Sequence, residues 1–435
     1  MRVSEEITLI LPLMVYKKID EVLRNKEYKY VKKPEKELLI YLVSELITLG
    51  SIKKKREYHN LKTDKIKSIL GYKLNSYIKI LQNEEIIISD NHYIKGKKSK
   101  HYKLNPAFIG STIEYFKIDT KGKLYESITK EAYKERKNHN RLKPHLKQMK
   151  DLFYKLDYDC KEALKWSEKN LKEGSLLAAK SSINNLSNSK TKYFKRNQTN
   201  KRLDTNYTNL NKSLRQFINH DNLVNLDLKN SQPLIFSLLL NVIDSNISLG
   251  TTLCYKKLGF RPFKRFNNKQ LRKVLLITQN DNIYQNEEIK KLMCSCLRGA
   301  FYDDFLTDFK GLTRSEIKEL MFMVLFSRNK IESSSKIPYS KEKAIFKTVY
   351  PLAYKVSCIL KDEVHSDLAI ALQELESFIF IDVIAKELCE NGIIPLTIHD
   401  SFIIPKDKAE EAKKIACNVF KTIFGVVPSF SVEAL

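Results

Sequence analysis

The sequence predicts an α+β fold, mostly helical, with a small antiparallel sheet in its second half and a compact helical module at its N-terminus. Three observations predict it. Apolar residues recur at helical spacing along much of the 435-residue chain, and several of these stretches begin at a capping residue or end at glycine. Strand-like stretches are short and few. Two of them, Leu223 to Leu228 and Ile393 to Ile398, each run into a tight turn that carries an aspartate. The length suits two or three domains and a sizeable core.

The formal net charge is +26 and the sequence pI is about 9.5. Such a basic chain calls for a polyanionic partner, nucleic acid first among them. Lysine, asparagine and isoleucine are abundant throughout, a bias that an AT-rich genome would also produce and that competes with selection for a ligand as the source of the charge. No run of about eighteen apolar residues is present, and Met1-Arg2-Val3-Ser4-Glu5-Glu6 is too acidic to open a signal peptide. The expectation is a cytoplasmic protein with no membrane partner. The seven cysteines are scattered, and only Cys294 and Cys296 lie close together. Reduced thiols rather than a zinc site follow.

Residues 1–30 show no clear period. From Glu37 to Leu49 the apolar residues fall at helical spacing and the stretch ends at Gly50; Thr63 to Leu70 repeats this and ends at Gly71. Asn75 to Asn83 is a third helix, with Tyr77, Ile78 and Leu81 inward. Glu85 to Ser89 reads as a strand, Asp90-Asn91 as a turn, and His92 to Asn105 as a basic hairpin. Three helices and a hairpin in this order resemble a winged helix-turn-helix of the kind found in plasmid replication initiators. Between Ser51 and Lys103 there are 14 Lys/Arg against 5 Asp/Glu, which suits a DNA-facing surface contacted by Lys73, Lys79, Lys97 and Lys98. The expected module spans residues 1–110. Residues 111–200 are helical and lysine-rich, and the asparagine-rich stretch from Glu168 to Asn200 is expected to hold a mobile segment.

Candidate chemistry begins beyond residue 200. Leu223 to Leu228 is followed by a turn, and Pro233 is expected to open an apolar helix through Leu240. Asp227 therefore stands at a strand end. Near the C-terminus His399-Asp400 forms a tight turn between Ile393 to Ile398 and Phe402 to Ile404, which presents Asp400 at its tip. Two such carboxylates are the ligands that magnesium prefers, and phosphoryl transfer commonly uses two ions about 3.5–4 Å apart. Between these segments, Thr313 and Glu316 form a capping box that starts a helix at Arg314. Arg314, Lys318, Phe322 and Phe326 then share one face over roughly 18 Å. Two cations followed by two rings suit a triphosphate at one end and a base at the other. An ordinary amphipathic helix, with both rings in the core, is the competing reading. Gln373 and Glu376 lie one turn apart on a later helix and face the duplex, the site or solvent.

Taken together, these segments resemble the palm and fingers of family-A DNA polymerases and the related phage-type single-subunit RNA polymerases, over about residues 201–435. Arg202-Leu203-x-Thr205 with Asn209-Leu210 resembles the family's R-L-S-S-x-x-x-N-L stretch at equal spacing. Asp227 and its turn resemble motif A. Arg314, Lys318, Phe322 and Phe326 resemble motif B, R-x₃-K-x₃-F-x₃-Y-G, and His399-Asp400 resembles motif C. The sequence departs from the pattern at Lys201 for a glycine, at Phe326 and Ser327 for Tyr-Gly, and at Gln232 for the glutamate that discriminates the sugar. His399-Asp400-Ser401 follows the RNA polymerases rather than the His-Asp-Glu of the DNA enzymes.

The resemblance implies a right-hand polymerase: palm at 201–249 and 351–435, fingers at 250–350, and a thumb-like helical region at 111–200. It implies that Asp227 and Asp400 hold two Mg²⁺ ions, with Mn²⁺ a possible substitute. Arg314 and Lys318 would grip the triphosphate, Lys318 also acting in catalysis. Phe322, Phe326 and Gln232 would contact the nucleotide, and Arg202 and His399 the primer end. The implied partners are DNA primer–template or duplex and dNTPs or rNTPs, with no obligate protein partner and no proofreading exonuclease. The expected function is templated nucleotidyl transfer, leaning to DNA synthesis, in a plasmid, phage or mobile element. A single-subunit RNA polymerase or primase, untemplated or protein-primed synthesis, and a replication initiator with a degenerate polymerase-like half stand as alternatives.

Overall fold

The computed structural model describes residues 6–25, 28, 31, 33–52, 57–91, 100–137, 141–219, 222–245, 265–278, 286–330 and 337–435. It is mostly helical with small antiparallel sheets, an α+β fold. The chain forms two compact units. The first comprises residues 1–195 and 204–221, with the terminal Leu435; the second comprises residues 196–203 and 222–434.

In the first unit, residues 8–25, which show no clear sequence pattern, form a strand, Thr8–Pro12, and a helix, Leu13–Asn25. The strand pairs antiparallel with Ile113–Lys117. The helix Lys36–Ile52 runs through the core, with Leu39, Ile40, Leu42 and Val43 fully buried. Asp64–Leu70 starts at Thr63, whose side chain accepts from the Ile66 N–H, and stops at Gly71 with φ +55°. Leu74–Asn83 follows, burying Tyr77, Ile78 and Leu81 as the spacing predicts. Ile87–Ser89 and Tyr102–Leu104 then pair antiparallel. Lys97 and Lys98 lie outside the described residues. Lys73 is ion-paired to Glu35 at 2.5 Å, and Lys79 is exposed on the third helix.

Within the asparagine-rich stretch, Glu173–Ser187 is a helix that buries Leu177, Ile183 and Leu186. Its polar residues have structural partners: Ser181 Oγ lies 2.7 Å from Thr48 Oγ1, and Asn184 Nδ2 donates to the Thr8 carbonyl at 2.7 Å. Polarity there reflects buried hydrogen bonding rather than solvation.

The second unit is built around a four-stranded antiparallel sheet. Leu223–Leu228 lies inside it, flanked by Ser401–Pro405 on one side and Phe430–Ala434 on the other, with Leu396–Ile398 at the edge beyond Ser401–Pro405. Val224, Leu226 and Leu228 alternate inward, which leaves Asn225 and Asp227 on the more open face. The helix after this strand begins at Ser231, two residues before Pro233; proline is tolerated there because a first-turn N–H has no intrahelical acceptor.

Behind the sheet runs Asp367–Ser377, then a π-helical turn, Phe378–Ile384, then Ala385–Glu390. Phe380 on the π turn stacks on Phe402 of the sheet, with centroids 5.2 Å apart and planes at 23°. Both rings are fully buried. Phe402→Ala is expected to cost about 3–5 kcal/mol, the usual range for emptying a buried aromatic site, read as a lowered urea midpoint at unchanged m-value.

Candidate active site

Two short connections carry the central carboxylates. Leu396–Ile398 and Ser401–Pro405 are joined by His399-Asp400 alone, with His399 in the left-handed region at φ +57°. Histidine is among the non-glycine residues that accept this conformation more readily. Asp227 pairs in register with Ser401, so Asp400 is the next residue along. The Leu228 N–H donates to the Asp400 carbonyl at 3.2 Å. Two carboxyl-bearing residues 173 positions apart in sequence thus meet at one end of one sheet.

The helix Arg314–Phe326 forms as its capping box predicts: the Thr313 side chain accepts from the Glu316 N–H, and Glu316 accepts from the Thr313 N–H at 2.7 Å. Its buried residues are Ile317, Met321, Val324 and Leu325. The predicted functional row is therefore not the core face. Arg314 and Lys318 are exposed, and Phe322 and Phe326 are half-buried and stacked on each other at 5.8 Å and 28°. Arg314 is held in place: its Nε donates to Asp303 at 2.9 Å, its Nη2 to the Gly299 carbonyl at 2.7 Å, and its guanidinium lies 5.4 Å from the centroid of the Tyr302 ring. Lys318 has no ion-pair partner among the described residues.

Gly299 ends the helix Glu287–Arg298 at φ +80°, and a Cβ there would come within 2.8 Å of the Lys229 side chain. Glycine therefore lets this carbonyl reach Arg314 while Lys229, two residues after Asp227, passes alongside. Burial pushes the Tyr302 hydroxyl well up; Cys296 and Asp400 add to this and Arg314 opposes it.

Glu376 is buried rather than solvated, being only 1% exposed. Arg202 reaches one carboxylate oxygen with Nη2 at 2.6 Å and Nε at 2.8 Å. Gln232 donates from Nε2 to the other oxygen, and Ser231 Oγ lies 3.4 Å from the same atom. The carboxyl is pushed up to about 7, chiefly by burial; Asp400 adds to the shift, and Arg202 and Gln232 pull against it. Arg202 and Gln232, predicted as primer and nucleotide contacts, thus converge on a residue that the motif pattern did not single out. The same helical run ties down the segment before Arg202. Asn200 donates to Gln373 at 3.0 Å, Ser377 to the Asn200 carbonyl at 3.1 Å, and Arg196 pairs with Asp382 at 2.6 Å.

Among the described residues there is no group of three or more His, Cys, Asp or Glu side chains arranged to hold a metal, and no helix is long and apolar enough to cross a membrane. No family model and no curated protein matches the chain. Among solved structures, the POL domain of Pol1 from M. smegmatis, in complex with DNA primer–template and dNTP, aligns at 12% identity and a TM-score of 0.23, over 71% of this chain and 63% of that one.

Proposed function

We propose that the chain is a nucleic-acid polymerase that joins nucleotides to a primer 3′ end by nucleotidyl transfer. The observation that carries the reading is the register that sets Asp227 beside Ser401 and so brings Asp400 to the same sheet end. Arg314, the first residue of a cationic and aromatic helix face, lies with its guanidinium 5.4 Å from the centroid of the Tyr302 ring. Carboxylates, then cations, then flat rings are what the hydroxyl, triphosphate and base of such a reaction require in turn.

Asp227 and Asp400 are the residues that would hold magnesium. The donor set fits, because Mg²⁺ is commonly bound through one or two carboxylates with substrate phosphates and water completing its shell. Bound there, the metal would acidify the attacking hydroxyl and neutralise developing charge on the triphosphate. Lys318 supplies a mobile ammonium to the triphosphate, and Arg314 a fork whose position Asp303 and Gly299 fix. Phe322 and Phe326 offer the nucleotide a stacked pair of rings. Arg202 and His399 face the primer end.

Nucleic-acid binding draws on the N-terminal portion. Residues 1–195 carry 43 Lys and Arg against 24 Asp and Glu, most of the excess charge of the chain. The three helices and hairpin up to residue 104 support a winged-helix role in duplex binding, with Lys73 and Lys79 among the phosphate contacts. The chain is read as leaning to DNA synthesis and as belonging to a plasmid, phage or mobile element.

The test is extension of a labelled primer on a template with dNTPs or rNTPs, beside an unprimed control. Template-encoded extension from the primer is expected. Absence of extension with either nucleotide set, by protein that still binds the duplex, would leave the replication-initiator reading instead.

A further inference from the structure

Lys229 is a cation that no motif singles out. It continues the period of the strand before it. Leu226, Leu228 and Asn230 are buried, while Asp227 and Lys229 alternate with them and share the more open face. The backbone at Lys229 is fixed: its N–H donates to the Ser429 carbonyl at 3.0 Å, and the Ser429 N–H donates to the Leu297 carbonyl at 3.1 Å. Those bonds hold the end of the helix Glu287–Arg298 against the sheet. There the Lys229 stem crosses Gly299 so closely that a Cβ on the glycine would lie 2.8 Å from Lys229 Cδ. The carbonyl of the same glycine accepts from Arg314 Nη2 at 2.7 Å. One glycine thus lies against the stem of Lys229 and holds the fork of Arg314. Asp303 pairs with Arg314 at 2.9 Å, whereas Lys229 is exposed and has no ion-pair partner among the described residues.

We propose that Lys229 is a third cation of the triphosphate grip, supplied by the sheet rather than by the helix Arg314–Phe326, and that it takes phosphate oxygens on the Asp227 side of Arg314. This rests on the polymerase reading and adds a contact to its triphosphate. Two cations gathered at one glycine repel each other, and an anion placed between them relieves that repulsion. Phosphate is the charged part of a nucleotide, so it is the part that an ammonium there recognises. The stem of Lys229 is packed as far as Cδ, which lowers the entropy lost when a ligand orders the ammonium. Gly299 is what permits this packing, because any side chain at that position would occupy the path of the stem.

The experiment uses the full chain as wild type, Lys229→Met, Lys229→Arg and Lys318→Ala. Binding of inorganic tripolyphosphate in Mg²⁺ is measured by isothermal titration calorimetry, beside kcat/KM for single-nucleotide incorporation on a primed template. Lys229→Met keeps an apolar stem against Gly299 and removes only the charge, so its thermal melt should match wild type. It is expected to weaken tripolyphosphate binding by about tenfold or more, the scale of one hydrogen bond to a charged group. The nucleotide kcat/KM should fall by a similar factor, chiefly through KM. Lys229→Arg should recover most of both. A merely structural lysine would move Tm and leave tripolyphosphate affinity unchanged. Should Lys229→Met not fold, Lys229→Gln, polar and uncharged, takes its place. Wild-type affinity and kcat/KM in the folded uncharged variant, where Lys318→Ala loses both, would overturn the assignment and leave the polymerase reading intact. A wild-type protein that neither binds tripolyphosphate nor extends the primer would overturn both.

Discussion

Asp227→Asn and Asp400→Asn are each expected to lower Mg²⁺-dependent incorporation by at least about 10²–10³-fold, the scale of losing one preorganised charge-stabilising group. The amide keeps the size and planarity of the carboxyl but removes the charge that a hard cation needs. Asp227 lies on the more open face of its strand, and Asp400 is half-buried in a turn of two residues, so neither substitution empties a packed site. Duplex binding should survive, since the basic excess lies chiefly in residues 1–195. Incorporation assays beside duplex-binding titrations check this. Loss of binding in parallel with loss of incorporation would mean that the aspartates serve the fold and not the chemistry.

The second large effect is expected on the cationic helix, where its two cations should behave differently. Lys318 is exposed and has no ion pair among the described residues, so Lys318→Ala should change stability by less than about 0.5 kcal/mol. It should raise the nucleotide KM or lower kcat by about tenfold or more. Arg314 bonds to Asp303 and to the Gly299 carbonyl, so Arg314→Ala should produce both the kinetic loss and a measurable fall in Tm. Phe322→Leu removes a flat face from a half-buried pair and should weaken base selection, by about the 0.5–1.5 kcal/mol that an aromatic pair contributes beyond its area. A sharp fall in Tm for Lys318→Ala with unchanged kinetics in the folded fraction would make the helix purely structural.

Local signals in the sequence were strong where one short segment determines the outcome. The Thr313–Glu316 box set the start of its helix, and the two-residue His399-Asp400 turn set the hairpin register. The choice between a core and an outward face for Arg314, Lys318, Phe322 and Phe326 was not legible. Steps of four residues define a face, but only the tertiary partners of Ile317, Met321, Val324 and Leu325 decide which face turns inward. Glu376 was harder still. In a helix of ordinary apolar period one acid reads as solvated, and its burial depends on Arg202 and Gln232 arriving from segments more than 140 residues away. Gly299, Tyr302 and Asp303 lie in the connection between the helices Glu287–Arg298 and Arg314–Phe326, which carries no motif, and their part in holding Arg314 follows from the fold alone. The helix Glu173–Ser187 was obscured by its composition, because asparagine and serine signal loops unless tertiary hydrogen bonds claim them.

The central claim is that Asp227 and Asp400 together hold a divalent ion at the sheet end. The most direct measurement is a Mn²⁺ titration of wild type, Asp227→Asn and Asp400→Asn by electron paramagnetic resonance, with and without a nucleoside triphosphate. Wild type should bind Mn²⁺ more tightly when triphosphate is present, because phosphate oxygens complete the shell. Each single variant should lose that enhancement. Undiminished, triphosphate-enhanced Mn²⁺ binding in both variants would contradict the account.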